Sequence, residues 1–204
     1  MIAIYAADIG SIKSNNFAWA RLVNNTGQSY TDSSITKLVD TISSDINQNN
    51  LVCLGFECPL FINLPDNPVL LTSARTGEGS RAWSAGAGCG SLATGLAETL
   101  WILSNLHHKS KEKIIPTYNV DDLFEGHANL LLWEAFVSSH SKGNSHREDS
   151  AIAVQVFSEK LKANNLFTDV LVDNPYSLVG AALLRSGITD DIEFLKEQCI
   201  VIKA

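Results

Sequence analysis

Three carboxylates in this chain sit inside or directly after apolar runs, where an unpaired charge is most expensive, and a fourth opens a helix. Asp8 closes Ile2-Ala3-Ile4-Tyr5-Ala6-Ala7, and Glu57 closes Leu51-Val52-Cys53-Leu54-Gly55-Phe56. Glu134 falls between Leu130-Leu131-Leu132-Trp133 and Ala135-Phe136-Val137, and Asp149 lies in the first turn of a helix that starts near His146. Carboxylates gathered at one edge repel one another unless cations hold them. The pattern therefore points to hard divalent metals and to metal-dependent hydrolysis of phosphodiester bonds. Taken singly, each acid is more often an unrelated strand-end or cap residue.

The elements that must position these acids follow from periodicity. Residues 2–8 and 16–23 read as two strands joined by a hairpin-like turn at residues 10–15, with a third short strand near residues 28–31. Residues 34–48 repeat apolar side chains at helical spacing (Ile35, Leu38, Val39, Ile42, Ile46), with Asp32 or Ser33 available as cap. Residues 51–56 form a continuous apolar run, the pattern of a central strand covered on both faces. Residues 91–107 are expected to be a helix with Leu92, Leu96, Leu100, Leu103 and Leu106 in one buried stripe. Strands are expected at 113–118, 130–137 and 200–202, and helices at 146–163 and from Asn174-Pro175 to Ser186, where Gly187 ends the last one. Between Cys58 and Gly90 the pattern breaks into a long Gly- and Pro-punctuated loop carrying Arg75, Arg81 and Trp83. So long a segment without regular structure is usually functional or disordered, and its apolar content favours an ordered loop. Strand, helix and strand in this order imply an α/β fold, and the absence of repeats or linkers implies one domain over residues 1–204.

Bulk properties exclude several classes. With 204 residues, 45% hydrophobic, the chain can bury one sizeable core. Its apolar runs reach about eight residues, short of the ~18–20 of a membrane helix. The N-terminal run has no basic region and carries Asp8, so it reads as a strand and not a signal peptide, with the cytoplasm as expected compartment. Cys53, Cys58, Cys89 and Cys199 lack C-x-x-C spacing and are expected as buried free thiols. A net charge of -7 opposes general affinity for nucleic acid, so any such contact must be weak and local. The dense basic segment His107–Lys113 is chiefly a solvated helix exit. No Walker, Rossmann, G-x-S-x-G or H-E-x-x-H pattern is present. His146 precedes Asp149 by three residues and could share its helical face, although a surface histidine is the plainer reading.

The order of parts resembles the ribonuclease H-like superfamily, and within it the family of predicted RNase H-like nucleases. The matching segments are Ala6-Ala7-Asp8-Ile9-Gly10 with the Trp19 strand behind it, Gly55-Phe56-Glu57-Cys58-Pro59-Leu60-Phe61, Ser73-Ala74-Arg75 through Arg81, Trp133-Glu134-Ala135-Phe136, His146-Arg147-Glu148-Asp149-Ser150-Ala151 and Ser177-Leu178-Val179-Gly180-Ala181-Ala182. Two departures stand out. The family commonly has an aspartate before Pro-Leu where this chain has Glu57-Cys58-Pro59-Leu60, and its last motif often carries two aspartates where this chain has Glu148-Asp149. The resemblance implies a mixed five-stranded sheet flanked by helices. It also implies two-metal hydrolysis by Mg²⁺ or Mn²⁺ ions ~3.5–4 Å apart, with nucleic acid as substrate. Asp8 would bridge the ions, Glu57 and Asp149 would bind one each, and Glu134 would complete the site. Arg75 and Arg81 would hold substrate phosphates, or equally brace the loop. Two other readings compete. One is a scaffold of the same fold that binds a partner or nucleotide without turnover. The other, from Asp8-Ile9-Gly10-Ser11, is a resemblance to the first phosphate motif of the actin and sugar-kinase ATPases, for which the chain is short. A homodimer through Trp83 is compatible with the sequence.

Overall fold

The computed structural model describes residues 1–23, 29–79, 82–137 and 141–204. Strand β1 (Ile2–Asp8) turns through a short 3₁₀ segment into β2 (Ala18–Val23), which pairs antiparallel with it and with β3 (Ser29–Asp32). Helix α1 (Ile35–Asn47) returns the chain to β4 (Leu51–Phe56), parallel to β1. Its cap is Ser34, whose hydroxyl accepts from the amide of Lys37; Asp32, one of the two expected caps, instead accepts from the amide of Ser34.

Beyond β4 lies β7 (Leu130–Phe136), again parallel, and two short strands share its outer edge. They are β6 (Pro116–Thr117), beside its start, and β9 (Ile200–Lys203), beside its end. The strand order is thus β3-β2-β1-β4-β7-β6, with β9 also on β7: a mixed, mostly parallel sheet of seven strands where the resemblance implied five. The short β6 and β9 fall within the segments 113–118 and 200–202 read as strands from the sequence.

Alternation along the strands gives each face its own core. Tyr5, Ala7, Val52, Leu54, Phe56, Leu130 and Leu132 face α1, α2 (Gly86–Lys109) and α5 (Leu178–Ser186). Ile4, Ala6, Cys53, Leu131, Trp133 and Ala135 face α4 (His146–Lys162), which contributes Ala153, Val154 and Phe157, and the short α3 (Val120–Phe124), which contributes Leu123. Gly55 is required here. A Cβ on it would come within 2.3 Å of the Trp133 indole, which lies across β4 and stacks at 4.4 Å on Phe157.

The loop after β4 is more structured than its composition suggests. It contains β5 (Phe61–Asn63), paired antiparallel with β8 (Pro175–Ser177), and a 3₁₀ turn at Pro68–Leu70. Two helix starts differ from expectation. Helix α2 begins at Gly86 and not Ser91, running through Gly88 and Gly90 although glycine disfavours helix. At Gly88 the reason is close packing, since a Cβ there would come within 2.7 Å of the Ala82 carbonyl oxygen, whereas a Cβ on Gly90 would meet open space. Its buried face is Gly95, Glu98, Thr99, Ile102, Leu103 and Leu106, while Leu96 of the expected stripe is half exposed because α2 packs against both α1 and α5. Residues 175–177, expected as the first helical turn, are instead strand β8, and Ser177 caps α5. Cys53, Cys58 and Cys199 are buried free thiols as expected, but Cys89 is exposed on the first turns of α2. No helix among the described residues is long and apolar enough to cross a membrane.

Candidate metal centre

Asp8 and Glu57 reach the same edge because β1 and β4 run parallel in a fixed register. Ala7 pairs with Phe56, so the next residue on each strand is an acid, and the Glu57 amide donates to the Ala7 carbonyl at 2.8 Å. Ala7 and Phe56 face α1, so both carboxylates turn to the α4 side. There the N-terminus of α4 supplies two more groups. Nδ1 of His146 lies 2.6 Å from Oδ2 of Asp8. Asp149, one helical turn on, is buried with Oδ1 accepting from the Gly143 amide at 2.7 Å.

The loop before α4 is tied down by the helix it introduces. Ser145 caps the helix by accepting from the Glu148 amide, and Glu148 accepts in return from the Asn144 amide. That arrangement delivers Lys142, whose Nζ lies 3.7 Å from Oδ2 of Asp149 and 4.0 Å from Oε1 of Glu57.

Asp8, His146 and Asp149 each offer a ligand atom within 4.8 Å of the others, close enough for one metal ion. Glu57 adjoins them, and its buried Oε2 has no hydrogen-bond partner among the described residues. Burial pushes the Glu57 carboxyl up to about 9, with the Asp8 charge adding to the shift. Burial also raises Asp8, to about 6, against the opposing hydrogen bond and charge of His146. Glu98 on α2 accepts from the Gly10 amide at 3.4 Å, and its carboxyl rises to about 7, mainly from burial. Buried, partnerless or mutually repelling carboxylates are what a bound cation relieves.

These groups open onto a groove of about 730 Å³ whose opposite wall is the start of α2, with Gly86, Gly88, Gly90, Ser91 and Thr94. Residues 82–90 therefore border the site, as expected of the loop, but the arginines do not contribute as expected. Arg75 is buried away from solvent. It forms a two-armed ion pair with Glu134 (2.6 and 2.9 Å), binds Glu78 and the Phe61 carbonyl, and packs over the Phe61 ring. It braces the loop against β7 and cannot reach a substrate phosphate. Arg81 lies outside the described residues.

Glu134 is the second correction. It pairs in register with Phe56, one residue before Glu57, so its side chain leaves the sheet on the opposite face. There its charge is taken up by Arg75 and by the Leu60 amide at 2.9 Å. Asp8, Glu57 and Asp149 are brought together; Glu134 lines the same groove but is held by Arg75 and the Leu60 amide, outside the cluster. The group that sequence reasoning set aside is His146. Its signal was the three-residue spacing to Asp149, and only the docking of α4 against β1 turned that spacing into a shared site. A scan of protein-family models matches none, and neither a curated protein nor a solved structure matches the chain.

Proposed function

We propose that this protein is a metal-dependent phosphodiester hydrolase of the ribonuclease H-like kind, acting on nucleic acid. The observation that carries the reading is the convergence of Asp8, His146 and Asp149 within 4.8 Å beside the unpartnered buried oxygen of Glu57. The β3-β2-β1 meander joined to parallel β4 and β7 supports the fold assignment. Carboxylates with an imidazole fit Mn²⁺, or Mg²⁺ held mainly by the acids. A divalent ion there would lower the pKa of a bound water and neutralise charge on the phosphate oxygens.

The chain's own residues divide the remaining work. Asp8, His146 and Asp149 would hold the ion from two elements of a rigid scaffold. With a cation bound, Glu57 would stand as a carboxylate beside it and orient water across the groove. Helix α2 forms the wall against which the substrate backbone lies. A net acidic protein binds such a substrate through local charge, and Lys142 at the rim supplies it.

The test pairs calorimetric titration of Mn²⁺ with cleavage of single-stranded, double-stranded and branched DNA and RNA. The expected result is Mn²⁺ binding and cleavage that chelation abolishes. One observation favours a second reading. The 2.6 Å contact between Asp8 and His146 would also orient the imidazole as a general base, leaving Nε2 free toward solvent. Cleavage that survives chelation would select it.

A further inference from the structure

The metal centre raises a question of charge, because nucleic acid must approach three carboxylates. The ligand atoms within 4.8 Å of one another suffice for one ion. The other described acids near the groove are held elsewhere: Glu98 accepts from the Gly10 amide on the α2 side, and Glu134 is turned through the sheet and held by Arg75. Lys142 occupies the flank left over. Its ammonium sits between Glu57 and Asp149 at 4.0 and 3.7 Å, its side chain is 45% exposed, and it lines the groove. The neighbouring Gly143 amide is pinned to Asp149, so the lysine is carried on fixed backbone with a flexible stem.

We propose that Lys142 is a catalytic residue that stands in for a second metal ion, so that the centre takes one divalent cation. The inference rests on the metal-dependent reading above. One divalent ion and one ammonium balance the three carboxylates of Asp8, Glu57 and Asp149, and the site is neutral when the phosphodiester arrives. Two ions beside the lysine would leave it strongly positive. In the free protein the ammonium pairs with Asp149 and lies beside Glu57. With substrate present, the four-carbon stem lets the same group swing to a phosphoryl oxygen and stabilise the charge that develops there.

Calorimetric titration of Mn²⁺ into wild type, Lys142→Met and Lys142→Arg tests this, alongside turnover of bis(4-nitrophenyl) phosphate. Wild type is expected to bind one Mn²⁺ per chain. Lys142→Met should bind one Mn²⁺ about tenfold more tightly, because a cation beside the ion is gone, while turnover falls about 100-fold. Lys142→Arg should bind Mn²⁺ as wild type does and recover part of the turnover. Two Mn²⁺ per wild-type chain would overturn the proposal, as would unchanged affinity in Lys142→Met. Stoichiometry and affinity decide the matter whether or not this ester is cleaved. Failure of wild type to bind Mn²⁺ at all would instead overturn the metal-dependent reading, and this inference with it.

Discussion

Nδ1 of His146 and Oδ2 of Asp8 lie 2.6 Å apart, although 138 positions separate them in sequence. This contact joins the end of the central strand to the first residue of α4, and it brings the Asp149 carboxylate to the same place. Strand, helix and loop are thereby committed to one site.

Asp8→Asn tests that commitment. Asp8 is desolvated and faces the charge of Asp149, so the neutral amide should leave the melting temperature unchanged or higher. Mn²⁺ affinity should fall by more than about 100-fold, beyond what loss of an outer-shell partner costs. Scanning fluorimetry and calorimetry read the two effects separately. A clear loss of stability with affinity intact would make Asp8 a structural acid.

Glu134→Ala should behave in the opposite way. It leaves the buried Arg75 guanidinium with Glu78 as its remaining carboxylate partner, and breaking one arm of a buried ion pair costs about 3–5 kcal/mol. Denaturant unfolding should show that loss, while Mn²⁺ affinity stays within about threefold of wild type, because Glu134 lies on the other face of the sheet. A large drop in Mn²⁺ affinity in folded protein would return Glu134 to the metal centre.

Glu57 makes the metal-free protein sensitive to alkali. Its carboxyl moves from an ordinary 4.5 to about 9 in the folded state. Between those values the native chain holds a proton that the unfolded chain has released, so unfolding loses a proton and stability falls as pH rises. The contribution is fully present below about pH 4.5 and is lost as pH passes through about 9, at no more than about 1.4 kcal/mol per pH unit. Chelator-treated protein should therefore melt at progressively lower temperature from pH 6 to pH 9, over and above the other groups that titrate there. Saturating Mn²⁺ should flatten or reverse the trend, because the ion binds the carboxylate form. A metal-free melting temperature that rises over that range would show that Glu57 is not protonated at neutral pH.

Gly55→Ala probes the scaffold rather than the chemistry. The new methyl would lie 2.3 Å from Trp133, in the middle of two strands that cannot separate without moving Glu57. Overpacking of this kind costs about 1–3 kcal/mol. Chemical unfolding should register it, together with weakened Mn²⁺ binding. An unperturbed variant would mean that Trp133 has room to move.

Much of the architecture was legible in the sequence because it is local. Apolar runs of the right length became β1, β4 and β7, and helical spacing became α1 and α4. Asp8 and Glu57 were readable as strand-end acids, and Asp149 as an acid in a first turn. Three things were decided only in the folded chain. Pairing Glu134 with Phe56 instead of the residue after it sends that carboxylate to the wrong face, and a one-residue register difference leaves no trace in the sequence of either strand. Arg75 was a cation on a loop until the strand pair β5–β8 drew that loop against β7 and buried it. His146 and Lys142 became part of the site because α4 docks with its N-terminus on β1, a consequence of packing Ala153, Val154 and Phe157 onto the sheet. The sequence determined which residues could carry charge at the edge of a sheet. Register and helix docking, which depend on contacts between distant segments, determined which of them meet.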